Sequence, residues 1–426
     1  MFPFTFDIKF YCLKACGGGC SPVAGIKTKW DGVIITILDK KAIFKKHKRS
    51  RTIDMSKSIK KERIREFDVA RVFAVIAMVA VHTEFAIYNY ENEVFAIFFD
   101  YLGSPFAAPV FMFILGANIF LSSKNSPRQL LARGISTFSS SVVFNIICHA
   151  LPFLILDFRN QTTNYAENVL HWVFAVDILT FSALAFMFFA LIRKLNLNNY
   201  VLAAIGIACS LINIILTYNF PIDFDGHTIA AIITGLFYNS SITGYFSFLS
   251  WIIFPIAGYI FVQILDKVVD KNKFYLKVGG VCIAAYLAMV FASYKWLPQL
   301  PFIEFSEEYS YYQMHPFNAI GTVFFCIGWI SIMYFASKIL PKGLDCHIAR
   351  WNRNLTVIYM IQWFLINYCF VLPSNNTFSV NEWQFVICFV AVIIASDILL
   401  MLYRKHKGKC VKNKSEKFVM ERKQNK

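Results

Sequence analysis

The sequence predicts an all-α protein, a polytopic bundle of about ten membrane-spanning helices with both termini in the cytoplasm. Three observations predict it. First, the composition is 57% hydrophobic and only 16% charged over 426 residues, with 45 Phe and a mean hydropathy of +0.52. Soluble domains run about 45–50% apolar and about 25% charged. Second, ten apolar segments approach the roughly 20 residues needed to cross a bilayer. Third, the excess positive charge is confined to the tails. Residues 1–66 carry +10 and residues 404–426 carry +8, whereas 67–403 carries −2. Basic tails flanking an apolar body belong beside anionic cytoplasmic lipid. This distribution, with no reader motif, argues against nucleic-acid binding despite the net +16. Disorder is excluded by hydrophobicity.

The elements follow in chain order. Residues 1–66 form a basic, poorly periodic leader lacking the long apolar core of a signal peptide. Within it, Met55 opens a second basic stretch and is the expected natural start. Cys12, Cys16 and Cys20 match no zinc spacing. The predicted spans are 67–88, 105–122, 135–156, 171–192, 200–217, 245–265, 276–294, 316–337, 354–372 and 384–403, followed by a basic cytoplasmic tail, 404–426. The charge pattern supports this alternation. The intervening loops on the inner side hold Lys124, Arg128, Arg133, Arg193, Lys194, Lys267, Lys271, Lys273, Lys277, Lys338, Lys342, Arg350 and Arg353, against Arg159 and Lys295 outside. The outer segments are acidic, with Glu91, Glu93, Asp100, Asp223, Asp225, Glu304, Glu307 and Glu308.

Ionisable groups inside a span are costly and mark candidate sites. The first span holds Asp68, Arg71, His82 and Glu84. Arg71 and His82 are eleven residues apart, about three turns, so they share a face about 16 Å apart along the axis. Asp68, three residues before Arg71, can pair with it. A neutral imidazole in a cavity can take a proton from a hydroxyl or amine, and an arginine nearer the cytoplasm can hold an anion. An Arg–Asp anchor plus a helix-bridging His explains the same residues without a site. Asp177, read within the fourth span behind His171, is a candidate to orient His82. His315 and Gln362 are candidates near the acceptor. Arg128, Arg133, Arg350 and Arg353 are candidates to hold the phosphates of an anionic donor, a role that competes with simple topology. Asp397 is expected to pair locally. No phosphate loop, metal-ligand set or nucleophile elbow appears, so no metal is expected.

The stretch Arg65-Glu-Phe-Asp-Val-Ala-Arg71-Val-Phe-Ala-Val-Ile-Ala-Met-Val-Ala-Val-His82 resembles the first helix of the membrane-bound acyltransferase-3 family, with its Arg, ten residues, His, and an Asp three before the Arg. The segment 108–122, Asp177-Ile-Leu, the stretch 250–258 and Ile358-Tyr-Met-Ile-Gln-Trp363 resemble the related heparan-α-glucosaminide N-acetyltransferase-like proteins. The likeness runs over about 62–403. It departs from the first family in that Arg128 and Arg133 are five apart rather than three. It departs from the second in that His82 stands where Asn is frequent. The resemblance implies a bundle in the cell membrane that takes an acyl group, acetyl foremost, from cytoplasmic acyl-CoA. The group passes to an outward acceptor such as a sugar or glycolipid. It also implies the catalytic role for His82 and the motif role for Arg71. The rival readings are a transporter or flippase-like protein using Arg71 and His82 in a translocation or proton path, and a non-catalytic scaffold. The oligomeric state is left open, with a homodimer among the alternatives.

Overall fold

A computed structural model describes residues 64–88, 92, 94–95, 98, 103, 105–163, 166–220, 228–238, 244–297 and 311–424. The leader before residue 64, with Met55 and its cysteine cluster, and the eight acidic residues named above as outer lie outside the described residues.

The chain is helical throughout what is described, with no strand beyond an isolated bridge between Tyr88 and Val380. The helices are α1 (Arg65–Ile87), α2 (Ala108–Leu121), α3 (Pro127–Asn145), α4 (Leu151–Asn160), α5 (Val169–Val173), α6 (Ile178–Leu195), α7 (Asn199–Asn219), α8 (Thr228–Gly235), α9 (Phe248–Trp251), α10 (Ile253–Leu265), α11 (Lys271–Trp296), α12 (Pro316–Ile339), α13 (Asp345–Asn352), α14 (Leu355–Ile366) and α15 (Glu382–Gln424). A π-helical turn, Ile146–Ala150, joins α3 to α4, and a second, Asn367–Val371, continues α14.

This is the expected all-α membrane bundle. Among the described residues, eight helical segments are long and apolar enough to cross a membrane, nine if the bent pair 342–352 and 355–371 makes one span. The pair bends by 75°. The second predicted span is the 14-residue α2, about 21 Å long at 1.5 Å per residue and short of the roughly 30 Å hydrocarbon core. The predicted fourth span begins late. Residues 174–177 leave the helix, so His171 sits in the short α5 and Asp177 is the N-cap of α6. The predicted tail continues α15 without a break to Gln424.

Packing follows from where the small residues fall. α2 and α10 cross with their backbones in direct contact. A Cβ on Gly116 would meet the Pro255 carbonyl, and one on Gly258 would meet the Phe113 carbonyl. Such small-residue crossings are how helices associate when lipid is as apolar as their side chains. α1 runs through the centre, with Ala70, Ala74, Val75, Ala77, Val79 and Ala80 buried to 1% exposure or less. α7, α11 and α15 turn large apolar residues outward, such as Ile215, Val281 and Ile387. A surface that apolar requires lipid around it.

Because the spans alternate in direction, one end of the bundle collects the start of α1, the end of α6, the start of α11 and all of α13. This end is rich in Arg and Lys and is called the basic end below. The far end collects the end of α1 and the starts of α2, α6, α9 and α12.

Candidate functional site

α1 carries the central residues. Its run of Ala, Val and Ile holds a helix in an apolar setting, and Glu66 and Asp68 fall in its first turn, where carboxylates complement the helix dipole. Arg71 lies two turns in, near the basic end, and His82 three turns further, toward the far end.

His82 is half-buried and lines a cavity of about 80 Å³. Its other walls are Met78 and Val81 of α1, Gly103, Ala107 and Ala108 at the start of α2, Ile178 of α6, Phe246, Tyr311 and Tyr312 before α9 and α12, and Tyr359 of α14. Apart from Tyr359, the walls beyond α1 come from segments at the far end. None of the lining residues is an Asp, Glu, Lys or Arg.

The imidazole is held from one helix. Gln362 Nε2 lies 3.1 Å from His82 Nδ1. The Trp363 indole packs against the ring with centroids 4.3 Å apart and planes tilted by 31°, and the Tyr359 ring meets it edge-on at 6.1 Å. These three residues occupy positions i, i+3 and i+4 of α14, which form one stripe on a helix surface. The Trp363 indole also meets the His149 ring of the first π-turn, with centroids 4.9 Å apart. The two π-turns grip each other. Asn367 donates to the Cys148 carbonyl at 2.5 Å and Tyr368 to the Ile147 carbonyl at 2.8 Å. A π-turn frees carbonyls from the regular ladder, and here side chains of the opposite turn take two of them.

Asp177 is bonded to groups other than the His82 ring. Its carboxylate accepts from Ser141 Oγ at 2.9 Å, from the Thr180 N–H at 2.8 Å and from the Tyr359 hydroxyl at 3.1 Å. Thr180 Oγ1 in turn donates to the Ala175 carbonyl. The carboxylate therefore caps α6 and pins Tyr359, a wall of the cavity. Its link to His82 runs through that ring. A buried carboxylate with three donors is satisfied where it stands.

At the basic end, Arg71 is buried and faces α13. Its Nη1 donates to Asn352 Oδ1 at 3.1 Å and lies 3.9 Å from Asp68 Oδ1. Asn352 Nδ2 donates back to the Asp68 carbonyl at 2.9 Å. Arg65 clasps Asp345 at 2.7 and 3.0 Å and reaches the Leu340 and Ser337 carbonyls. Arg350 Nη2 donates to both Asp397 oxygens, at 2.9 and 2.7 Å, and Trp351 Nε1 donates to the same carboxylate. Asp397 thus pairs across helices, not along its own. The short α13 is tied at three points, two on α1 and one on α15. Arg350→Gln should loosen this tie and lower the thermal midpoint, because a charge-assisted hydrogen bond contributes about 1.5–3 kcal/mol.

The other predicted residues scatter. Arg133 lies over the Phe186 ring at 4.2 Å, Arg353 Nε bonds the Ala349 carbonyl of its own turn, and Arg128 is exposed. His315 is the N-cap of α12, its Nδ1 accepting from the Phe317 N–H at 3.2 Å. Burial lowers its pKa, which keeps the capping lone pair available. Tyr311 and Tyr312, not His315, reach the cavity. Gln362 contacts His82 directly. Sequence reasoning did not single out Trp363, Tyr359, His149 or Asn352. A mid-span His needs a polar neighbour, and that was a signal for a buried amide but not for which helix brings it.

The whole described bundle carrying these residues coincides with one family. The model of the acyltransferase-3 family, an acyltransferase domain, matches residues 64–401, from the first turn of α1 into α15. A search of curated proteins finds no match. With well over half of its length matched, the chain belongs to the acyltransferase-3 family, and it is a membrane acyltransferase.

Proposed function

We propose that the protein takes an acyl group, acetyl foremost, from cytoplasmic acyl-CoA and delivers it to a hydroxyl or amine of a sugar or glycolipid on the outer side of the cell membrane. The observation that carries this reading is the accessible His82 ring in a cavity at the far end, on the same helix as a buried arginine at the basic end. The two residues are about 16 Å apart along the axis at 1.5 Å per residue. That distance suits a donor whose charged part stays near Arg71 while its thioester reaches toward His82.

In the proposed step, His82 Nε2 takes the proton of the acceptor O–H or N–H. The freed electron pair attacks the thioester carbonyl, the C–S bond breaks, and the imidazolium returns the proton to the leaving thiolate. The products are an ester or amide and the free thiol. Positive charge at the basic end favours a phosphate-bearing donor there.

The test places the purified full chain in vesicles with labelled acetyl-CoA and a glycolipid extract. His82-dependent release of free thiol with label in the extract supports the reading. Movement of solute across the vesicle wall without thioester cleavage supports transport instead. Arg71→Ala should raise the KM for acetyl-CoA about 10–100-fold, as loss of about 1.5–3 kcal/mol of charge-assisted contact implies. Arg71→Lys should recover part of it. An unchanged donor KM in Arg71→Ala removes the arginine from donor binding.

A further inference from the structure

We propose that Gln362 is the positioning residue for His82: its side-chain oxygen holds the Nδ1 proton, so that Nε2 presents its lone pair to the cavity. This rests on the reading of His82 as the base.

Gln362 is fully buried, at 0% exposure, inside a helix of the bundle. A buried amide is costly unless it bonds. Among the described residues its one hydrogen-bond contact is the His82 ring, at 3.1 Å, and its other end meets no protein partner. The whole hydrogen-bonding capacity that the fold gives this amide is thus directed at one imidazole nitrogen.

Turning the amide over exchanges its oxygen and nitrogen without moving any neighbour, so the same contact serves two arrangements. Chemistry separates them. If the amide N–H donates to Nδ1, the ring proton must sit on Nε2, and the ring cannot take a proton from the cavity. If the amide oxygen accepts from Nδ1–H, Nε2 is bare. The second arrangement also survives the reaction. Once Nε2 is protonated, Nδ1 still carries its hydrogen and still needs an acceptor. An amide N–H there would set donor against donor.

The ring has little freedom to escape this contact. Trp363, the next residue, packs against it at a tilt, and Tyr359, one turn earlier and pinned by Asp177, stands edge-on to it. Gln362 therefore selects the tautomer, while its neighbours hold the plane.

The experiment uses the full chain in lipid nanodiscs, labelled with ¹⁵N-histidine, the His82 signals being identified by their loss in His82→Ala. At a pH where the ring is neutral, the Nδ1–H tautomer should dominate in the unsubstituted protein. It should give way to a mixture in Gln362→Leu and persist in Gln362→Glu, whose carboxylate also accepts. In parallel, thiol release from acetyl-CoA should show kcat falling about 10–100-fold in Gln362→Leu with donor KM unchanged, by analogy with loss of the partner that orients a metal-bound histidine. Gln362→Glu should restore most of it. A packing role predicts the reverse order, because Leu suits a buried apolar site better than a carboxylate. An Nε2–H tautomer in the unsubstituted protein, or Gln362→Leu with unaltered tautomer and kcat, overturns the proposal. Absence of any thioester cleavage by the unsubstituted protein refutes the enzymatic reading of His82, and the tautomer measurement still decides the role of Gln362.

Discussion

His82→Ala is expected to reduce acyl transfer about 10²–10⁴-fold while the protein still inserts and folds. A positioned general base contributes a factor of that size, equivalent to about 2.7–5.4 kcal/mol of barrier at 1.36 kcal/mol per tenfold. The loss should appear in kcat, because the ring meets the acceptor's proton in the transition state and does not hold the donor's phosphates. His82 is half-buried beside an existing cavity, so deleting it enlarges open space more than it creates a sealed void. His82→Gln, which keeps a polar group beside Gln362 but offers no basic nitrogen, should be as inactive as the alanine variant. The comparison is made on matched amounts of monodisperse protein, by thiol release from acetyl-CoA. Full activity in His82→Gln would sink the assignment, since the other residues lining the cavity are apolar or tyrosines, and a protonated tyrosine hydroxyl is no base at neutral pH.

The largest structural effect is expected at the crossing of α2 and α10. Gly116 and Gly258 sit reciprocally, each against a backbone carbonyl of the other helix. A methyl group at either position cannot be relieved by a side chain rotating away, because the obstacle is main chain. Gly258→Ala should cost more than the 1–3 kcal/mol typical of overpacking, and Gly258→Val should prevent recovery of folded protein. Gly280 of α11 supplies the control. A Cβ there meets nothing within 4 Å, so Gly280→Ala should leave the thermal midpoint unchanged or raise it, as helix propensity favours Ala over Gly by about 1 kcal/mol. Equal midpoints for Gly258→Ala and Gly280→Ala would show that the two helices do not cross this closely. The crossing matters for the site because Ala107 and Ala108, at the start of α2, form one wall of the cavity.

How legible these features were differs with their physical origin. The class of fold was legible because lipid demands long apolar helices whatever their arrangement. Arg71 and His82 were legible because both lie on one helix, where spacing alone sets their relation. Asp177 was misplaced for a local reason. The segment 171–177 is apolar enough to read as span, yet the chain leaves the helix at 174–177, and Asp177 instead caps α6 and bonds Ser141, Thr180 and Tyr359. Arg350 was read as a phosphate ligand because an arginine in a loop shows no partner in a linear sequence. Its partner, Asp397, lies on another helix. The length of α2 was overestimated because hydropathy counts apolar residues and not where a helix begins.

Composition, charge placement and one-dimensional spacing determined that this chain is a membrane bundle, that its basic residues gather at one end, and that an arginine and a histidine share the face of its first helix. These are properties of a single strand of residues in lipid, and no fold is needed to read them. Only the tertiary structure decided that the histidine stands in a cavity, that Gln362 and Trp363 rather than Asp177 hold its ring, and that Asn352 faces Arg71. Each of these is a contact between helices about 280 residues apart in sequence or drawn from several elements at once. Which helix meets which is settled by close packing at residues such as Gly116 and Gly258, and hydrophobicity carries no record of it.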